Sequence, residues 1–540
     1  MLRGGIPSEK GRARDGHCAG SATMAGMLVT VPSFVLHGID ALRCDVEVSL
    51  EPRGLPRIAL VGLPDLAVRE SIERVRSALV SGGHGTPRHR TTVSLAPADL
   101  RKQGNGFDLP IALGMLLAAA RLDDDATAMP GAPRADRWMV TGELALDGGL
   151  RGVRGVVGMA MLARTLGMDG IVVPRANAAE AAVVPGIDVR CAEGLPEVVA
   201  HFRGVRALER VEPVDVRASL VAAEAEIDFA EVRGQAVVKR ALELAAAGGH
   251  NALLIGPAGC GKTMMARALP GILPPLEPDE ALEVTRIRSA TGTGERGLAT
   301  QRPFRAPHHT ASTVALVGGG ALGMPRPGEV TLAHHGVLFL DELPEFGRSA
   351  LEALREPLED GFVTVARAAG SARFPARSLV VAAMNPTAHG NRRAGSRGAR
   401  EAERYLERVS GPIVDRMDLH VEVQPVPFGR TSSSMAGPAH GPGSAVMRAR
   451  VESARHAQRR RQGGVLNAHL RGRSLDEASM LDGEARGLLG SAIDRMGLSA
   501  RAYDKVRRVS RTIADLEGSD AVRAEHVAEA IQYRLLDRQG

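Results

Sequence analysis

The residues best suited to chemistry in this chain follow a short apolar stretch in its middle. Residues 252–263 read ALLIGPAGCGKT, which places the pattern GxxxxGK[ST] between a predicted strand and a predicted helix. Glycines in such a loop let backbone N–H groups turn inward around a phosphate, and the helix N-terminus adds a favourable dipole. Lys262 would reach the β- and γ-phosphates, and Thr263 would ligate Mg²⁺. The alternative is a glycine-rich turn without a ligand. The predicted site for ATP and Mg²⁺ comprises Gly256, Pro257, Ala258, Gly259, Cys260, Gly261, Lys262 and Thr263.

Polar side chains also end two later apolar runs. Residues 337–342 read VLFLDE, a predicted buried strand followed by two carboxylates. Downstream of a phosphate-binding loop, Asp341 would hold Mg²⁺ and Glu342 would polarise the attacking water. Residues 378–385 read SLVVAAMN, so Asn385 would orient that water, although an Asn before Pro386 could equally form a turn. The three strand ends together predict ATP hydrolysis.

Length and composition exclude several classes of protein. At 540 residues the chain suggests three or four domains. With 44% hydrophobic and 24% charged residues it is an ordinary globular protein, which excludes wholesale disorder, collagen and a membrane channel. Aromatic residues make up only 3%, which disfavours an aromatic platform for single-stranded nucleic acid. The net charge of +6 permits nucleic-acid binding without demanding it.

Targeting signals and cysteines point to the cytoplasm. Residues 3–14 are basic and residues 16–39 carry no charge, which superficially resembles a signal peptide. The apolar part is short, contains Pro32 and runs into VLHGIDALRCDVEVSL, which reads as a strand. The alternative is a disordered extension, with Met24 or Met27 as the true start. The four cysteines show no CxxC pairing, so neither a zinc knuckle nor a disulfide framework is predicted. We expect a cytoplasmic protein without a membrane span.

The order of elements predicts a multidomain α/β protein. Alternating strand-like and helical runs fill the first half, a second α/β region carries the phosphate loop, and the C-terminal part reads as helical. A Ser/Gly/Pro-rich stretch, TSSSMAGPAHGPGSA, separates the last two parts. The predicted units are an extension or mis-assigned start over residues 1–26, an α/β domain over 27–210, a connector over 211–226, the phosphate-loop core over 227–428, a linker or loop over 429–445 and a helical domain over 446–540.

The three strand-end elements, in this order, resemble an AAA+ ATPase. RPFRAPHHTAS from Arg302, PGEVTLAHHGVLFLDELPEF from Pro327 and LSARAYDKVRRVSRTIADLEGSD from Leu498 are similar to the Mg-chelatase-like YifB/ComM family, as are long N-terminal runs such as TTVSLAPADLRKQGNGFDLPIALGMLLAA. The resemblance covers nearly everything from Met27 onward. It implies an N-terminal domain of ribosomal S5/Lon-like fold, an AAA+ core of the helix-2-insert type, a helical C-terminal lid and a homo-oligomeric, hexameric ring.

The same resemblance implies catalytic roles for two arginines. Arg416, in GPIVDRMD, aligns with the arginine finger that a neighbouring subunit would supply, with Arg408 as the second candidate. Arg501 resembles the sensor-2 arginine that contacts phosphate within its own subunit. From the residues alone, each would be read as a surface arginine.

Two histidine pairs invite a metal interpretation. Neighbouring side chains on a strand or helix point apart, however, so His308-His309 and His334-His335 are expected to be poor chelates. The segment with the first pair resembles the insert that lines the pore of a ring, where polar contact with a substrate is expected. Residues 363–367, followed by Arg373 and Arg377, would form a hairpin that can face a threaded polymer.

At two places the sequence departs from the family pattern, and each departure argues against one property: zinc binding or proteolysis. The stretch NPTAHGNRRAGSRGAR lacks the cysteine cluster that many members carry, so no zinc site is expected there. In the N-terminal domain, Asp108 occupies the place of the nucleophilic serine of Lon-type proteases, and Val157 lies near the place of the partner lysine. A Ser-Lys dyad cannot form, so proteolysis is not predicted.

The leading functional hypothesis is a ring-forming, ATP-driven motor that acts on DNA. The ComM branch of the family implies branch migration or helicase activity on single-stranded or branched DNA in recombination during natural transformation. The basic stretch RRRQGGVLNAHLRGR near Arg459 fits this hypothesis, or else forms a solvated helix face. The alternatives are an AAA+ protein remodeller with a protein partner, a magnesium-chelatase-like ATPase subunit, and a nucleotide-gated scaffold.

Overall fold

The computed structural model describes most of the chain between residues 28 and 536. The described residues are 28–536 without 52–54, 86–87, 123–128, 224, 295, 321–324, 368–369, 387–410, 426–440, 498 and 535. Four sequence predictions lie outside them: the N-terminal extension, most of the linker at 429–445, the basic loop that replaces the cysteine cluster, and Arg408.

Two four-stranded sheets organise the N-terminal part. In the first the strand order is β1-β2-β4-β3, and in the second it is β10-β9-β8-β5. Along β2 buried and partly buried side chains alternate, so one face packs on α2, which in turn contacts α1. The strands are β1 (Leu28–His37), β2 (Asp40–Glu51), β3 (Ile58–Val61), β4 (Arg90–Ala96), β5 (Trp138–Val140), β6 (Glu143–Leu144), β7 (Leu150–Arg151), β8 (Gly170–Pro174), β9 (Asp188–Ala192) and β10 (Glu209–Arg210). The helices are α1 (Leu66–Ser81), α2 (Asp108–Leu122), α3 (Val156–Thr165), α4 (Ala178–Ala181), α5 (Leu195–Phe202) and α6 (Val216–Ser219).

The run predicted as one strand near residue 40 is a hairpin. β1 and β2 pair antiparallel, and His37 lies opposite Asp40 across a two-residue turn. Gly38 has φ +67°, a left-handed conformation that glycine adopts without steric cost. An alternating pattern has the same period on both sides of such a tight turn, so it did not reveal the break.

A five-stranded parallel sheet forms the centre of the second part. Its order is β12-β15-β18-β11-β19, and every pair of neighbours is parallel. Strands β15 and β18 are buried along their whole length, as expected for a sheet with both faces covered. The strands of this part are β11 (Ala252–Ile255), β12 (Phe304–Arg305), β13 (Gly318–Gly319), β14 (Arg326–Pro327), β15 (Val337–Leu340), β16 (Phe362–Arg367), β17 (Gly370–Pro375), β18 (Leu379–Met384) and β19 (Leu419–Glu422). The helices are α7 (Ala236–Gly248), α8 (Lys262–Ala268), α9 (Pro278–Thr291), α10 (Thr313–Val317), α11 (Glu329–Leu332), α12 (Arg348–Ala353), α13 (Arg355–Asp360) and α14 (Gly411–Val414).

Helices make up the described C-terminal part. They are α15 (Ser444–Gln462), α16 (Gly472–Ala478), α17 (Gly483–Met496), α18 (Ala500–Leu516) and α19 (Ala524–Gln532). The Ser499 side chain caps α18 by accepting a hydrogen bond from the N–H of Ala502. Helices α15 and α18 both pack on α7, so this part lies against the core and shares its largest apolar cluster.

The N-terminal part is fastened to the core at the hairpin β16–β17. Ile39, in the β1–β2 turn, is 1% exposed and belongs to the apolar cluster that includes Val363 and Phe374 of the hairpin. His37 Nε2 donates to the carbonyl oxygen of Ser371 (2.9 Å). Helix α3 packs on α9 beside this contact. The turn between β1 and β2 is therefore part of the hairpin's own core.

Candidate functional site

The phosphate loop connects β11 to α8 at the carboxyl end of the parallel sheet. Gly256 has no room for a side chain, because a Cβ there would lie 2.3 Å from the carbonyl oxygen of Val423. Gly259 and Gly261 have φ of +77° and +90°, and a Cβ on either would have no neighbour within 4 Å. Both glycines therefore have a left-handed backbone beside open space, and successive N–H groups in such a loop can turn toward an anion. The predicted loop has the backbone that phosphate binding requires.

Lys262 joins this loop to the next strand of the sheet. Its ammonium group donates to the carbonyl oxygens of Gly256 (2.7 Å) and Pro257 (2.9 Å) and to Asn385 Oδ1 (3.0 Å). Strand β18 lies next to β11, so its last residues reach the loop. The structure thus brings together Lys262 and Asn385, which are 123 positions apart in sequence.

Oxygen ligands suited to Mg²⁺ lie beside the loop. Thr263 Oγ1 donates to Asp341 Oδ2 (2.7 Å), and Asp341 directly follows β15. Hydroxyl and carboxylate oxygens are the ligands that Mg²⁺ prefers in proteins, together with substrate phosphates. The residues present therefore fit a nucleotide with its metal ion.

Glu342 has a contact that the sequence did not reveal. Its Oε2 lies 3.1 Å from His309 Nδ1, and its backbone is left-handed with φ +51°. A positive φ is uncommon for a residue other than glycine and often marks a functional position. His309 belongs to the segment after β12, for which the sequence suggests only contact with a metal ion or a substrate. Glu342 is thus tied to that segment.

Arg416 and Arg501 lie away from the phosphate loop of their own chain. Both line a cleft with Asn251, which comes directly before β11, whereas the loop comes directly after it. Five residues of extended chain separate the two ends by about 16 Å. Arg416 pairs with Glu359, and Arg501 Nη2 lies 3.8 Å from the same carboxylate oxygen. The expectation that Arg501 contacts phosphate within its own subunit therefore does not fit this structure. The C-terminal helices hold Arg501 at the amino ends of the strands.

The second histidine pair corrects the expectation that such side chains point apart. The ring centroids of His334 and His335 are 3.9 Å apart, and both Nε2 atoms reach Glu283 Oε2, at 2.8 and 2.9 Å. His335 has φ +57°, and this left-handed backbone turns its ring to the side of the preceding ring. In the first pair the centroids are 4.1 Å apart. Spacing rules for strands and helices do not hold where the backbone is irregular.

Glu283, His334 and His335 have the composition of a metal site, but hydrogen bonding opposes one. The N–H of Arg377 donates to His334 Nδ1 (3.0 Å), so a neutral ring carries its proton on Nε2 and donates it to Glu283. A protonated ring nitrogen has no lone pair for a metal ion. Burial lowers the pKa of His334 to about 4, and the hydrogen bond from His334 lowers the pKa of Glu283.

Two further sequence candidates have structural partners. Asp108 is fully buried at the start of α2 and accepts two hydrogen bonds from Arg74, at 2.7 and 3.0 Å, and burial raises its pKa. In the basic run on α15, Arg459 pairs with Glu277 and Arg461 pairs with Asp515. These partners favour a structural role for Asp108 and for both arginines. Among the described residues, no helix is long and apolar enough to cross a membrane.

Sequence models of one protein family match three successive parts of the chain. The model described as "Subunit ChlI of Mg-chelatase" matches residues 46–177, "Magnesium chelatase, subunit ChlI" matches 228–431, and "Magnesium chelatase, subunit ChlI C-terminal" matches 441–534. Together with the parallel sheet and the phosphate loop, these matches define the Mg-chelatase-like class of AAA+ proteins.

Several proteins are similar to this chain along almost its whole length, and they identify a family within this class. The uncharacterized protein YifB of Escherichia coli K12 is 42% identical over 504 residues, covering 93% of this chain and 96% of YifB. The competence protein ComM of Haemophilus influenzae is 42% identical over 516 residues, covering 95% and 98%. An uncharacterized protein of Mycobacterium tuberculosis H37Rv is 40% identical over 510 residues, covering 93% and 97%. The chain belongs to the YifB/ComM family of Mg-chelatase-like AAA+ ATPases.

Proposed function

We propose that this protein hydrolyses ATP with Mg²⁺ as a ring-forming motor that acts on DNA in the cytoplasm. The observation that carries the proposal is the convergence of Lys262, Thr263, Asp341 and Asn385 at the carboxyl ends of three neighbouring strands. A structural cluster would not need a lysine and two oxygen ligands around a loop of left-handed glycines.

Each residue has a role that follows from its chemistry. The loop N–H groups and Lys262 bind the phosphates, and Thr263 and Asp341 hold Mg²⁺, which supplies charge neutralisation on the phosphate oxygens. Glu342 accepts a proton from the attacking water, and Asn385 orients that water. When ATP is bound, Lys262 exchanges its loop carbonyl partners for phosphate oxygens.

The position of Arg416 and Arg501 supports a site that two subunits complete. These arginines lie at the amino end of the sheet, and the phosphate loop lies at its carboxyl end. In a ring of like subunits, one end of each subunit faces the other end of its neighbour. We propose that both arginines contact the γ-phosphate held by the adjacent subunit, in a hexameric ring.

Three observations favour DNA as the substrate. One relative is named a competence protein, ComM. The segment that contacts Glu342 carries His308 and His309, and the hairpin β16–β17 exposes Arg367 and Arg373. Guanidinium and imidazole groups bind phosphate oxygens without regard to sequence. We propose branch migration or helicase activity on single-stranded or branched DNA during natural transformation.

Steady-state ATPase measurements on wild type and Glu342→Gln test the proposal. Each protein is assayed alone and with single-stranded, duplex and four-way-junction DNA. We expect wild-type activity to rise with DNA and the variant to lose roughly 100-fold or more of it, because general-base catalysis contributes about 10²–10⁴-fold.

The other outcomes separate the remaining hypotheses. Activity that is equal with every DNA form but lost in Glu342→Gln would contradict the DNA motor and leave an ATPase that remodels proteins or serves a chelatase. Negligible turnover in the wild type would favour a nucleotide-gated scaffold.

A further inference from the structure

Glu359 lies between the two arginines that the proposed function assigns to a neighbour's ATP. It is near the end of α13, and its Oε1 accepts from Arg416 and lies 3.8 Å from Arg501 Nη2. Arg471 Nη2 also donates to the backbone oxygen of Glu359 (2.6 Å). One carboxylate therefore joins a core arginine to an arginine of the C-terminal helices.

The backbone around Arg416 is held independently of this carboxylate. The buried ammonium group of Lys505, on α18, donates to the carbonyl oxygens of Asp415 and Met417, on either side of Arg416. The guanidinium of Arg534 donates to the Met417 oxygen as well (2.8 Å). The backbone at Arg416 is therefore held by contacts that do not involve the Glu359 carboxylate.

We infer that Glu359 is a positioning residue that retains Arg416 and Arg501 until the γ-phosphate of a second copy's ATP replaces it. The inference rests on the proposed function. A guanidinium group forms charge-assisted hydrogen bonds with a carboxylate or a phosphate, and each N–H can serve one acceptor well. Glu359 and the neighbour's nucleotide therefore compete for the same donors. Breaking the two pairs weakens ATP binding at the subunit contact.

Glu359→Gln tests this competition, with Glu352→Gln as the matched control. Glu352 is one helix earlier, on α12, and pairs with Arg355 (2.7 Å), which is not among the proposed site residues. Glutamine keeps the size of the side chain and removes its charge. We measure kcat and KM for ATP, and ring assembly with a non-hydrolysable ATP analogue by analytical ultracentrifugation.

We expect Glu359→Gln to lower the KM for ATP roughly twofold to fivefold, the range for a partly exposed ion pair, with kcat unchanged or raised. Assembly should then need less of the analogue, and Glu352→Gln should match wild type. A lowered kcat with unchanged KM and assembly would overturn the inference, because Glu359 would then orient Arg416 for catalysis. A folded Glu359→Gln that matches wild type in all three measurements would overturn it too.

Arg416→Ala separates this inference from the proposed function. If Arg416→Ala retains ATPase activity, the assignment of Arg416 to a neighbour's ATP fails. If Arg416→Ala abolishes activity and Glu359→Gln leaves KM unchanged, the shared site stands and only the role of Glu359 fails.

Discussion

The protonation state of His334 is set by the groups on both sides of its ring. The backbone N–H of Arg377 requires an acceptor at Nδ1, and Glu283 requires a donor at Nε2. A neutral ring satisfies both, and burial keeps the pKa at about 4. Glutamine offers the same combination, with an oxygen acceptor and an N–H donor.

His334→Gln should make stability less sensitive to acid. Above pH 6.5 the ring is neutral both folded and unfolded, but between about 6.5 and 4 only the unfolded chain gains a proton, so stability present above pH 6.5 is lost as the pH falls toward 4. The contribution is about 1.4 kcal/mol per pH unit, or about 2 kcal/mol between pH 6.5 and 5. Urea unfolding of both proteins at about pH 7 and about pH 5 measures it. Equal losses in the two proteins would contradict the assignment.

Candidate residues whose position follows from the local chain could be located from the sequence, and those whose position depends on distant contacts could not. The phosphate loop, Asp341 and Asn385 were found because each follows a strand in a recognisable pattern. Glu359 carries no such signal, since its partners lie 57 and 142 positions away along the chain. The contact of His309 with Glu342 depends likewise on how β12 and β15 pair.

Among the elements, the hairpin β16–β17 shares its core with the N-terminal part. Its two strands form a sheet of their own, and Ile39 from the β1–β2 turn completes their packing. The alternating pattern predicts one strand across this turn, so it gives no sign of the role of the turn in the core. The alternating pattern predicts that one face of this run is buried, but it does not predict which domain covers that face.

Ile39→Ala should loosen the hairpin specifically. A buried Ile→Ala substitution costs about 2–5 kcal/mol, and here the loss falls on the contact between the β1–β2 turn and residues 362–375. Ile111→Ala, fully buried within the N-terminal cluster, is the matched control. Hydrogen exchange should increase in residues 362–375 for Ile39→Ala and stay at the wild-type rate for Ile111→Ala. Equal exchange in both variants would show that the turn does not support the hairpin.

At the scale of the whole molecule, the family and the mixed α/β architecture were predicted correctly. Long motifs reveal a family, and alternating strand-like and helical runs reveal an α/β architecture. The placement of the C-terminal helices was not predictable. Their amphipathic pattern predicts that one face of each helix is buried, but it does not predict which surface covers that face. These helices contact residues 246–251 and 415–418. Arg501 therefore lies at the amino end of the parallel sheet, opposite the phosphate loop.

Mixing two inactive variants should restore activity if subunits share the site. Lys262→Ala removes the phosphate-binding lysine and Arg416→Ala removes the arginine offered to a neighbour, so each alone should lose roughly 10³-fold of the ATPase rate. In an equal mixture, about a quarter of the contacts pair an intact loop with an intact Arg416, which predicts up to about a quarter of wild-type activity. ATPase assays over a range of mixing ratios measure it. An activity of the mixture equal to the mean of the two variants' separate activities would contradict a shared site.

The separation of the two groups of residues by the length of β11 also fixes how copies can associate. Two copies related by a twofold axis can complete two sites and no more, because each loop then meets the partner's arginines and neither copy keeps a free end. Head-to-tail association leaves one loop and one pair of arginines free, so further copies can add, and under the proposed function the chain of copies closes into a ring with two unlike faces. In the proposed ring, a DNA strand would meet one face on entering and a different face on leaving, so a direction along the pore would follow from the asymmetry of a single subunit.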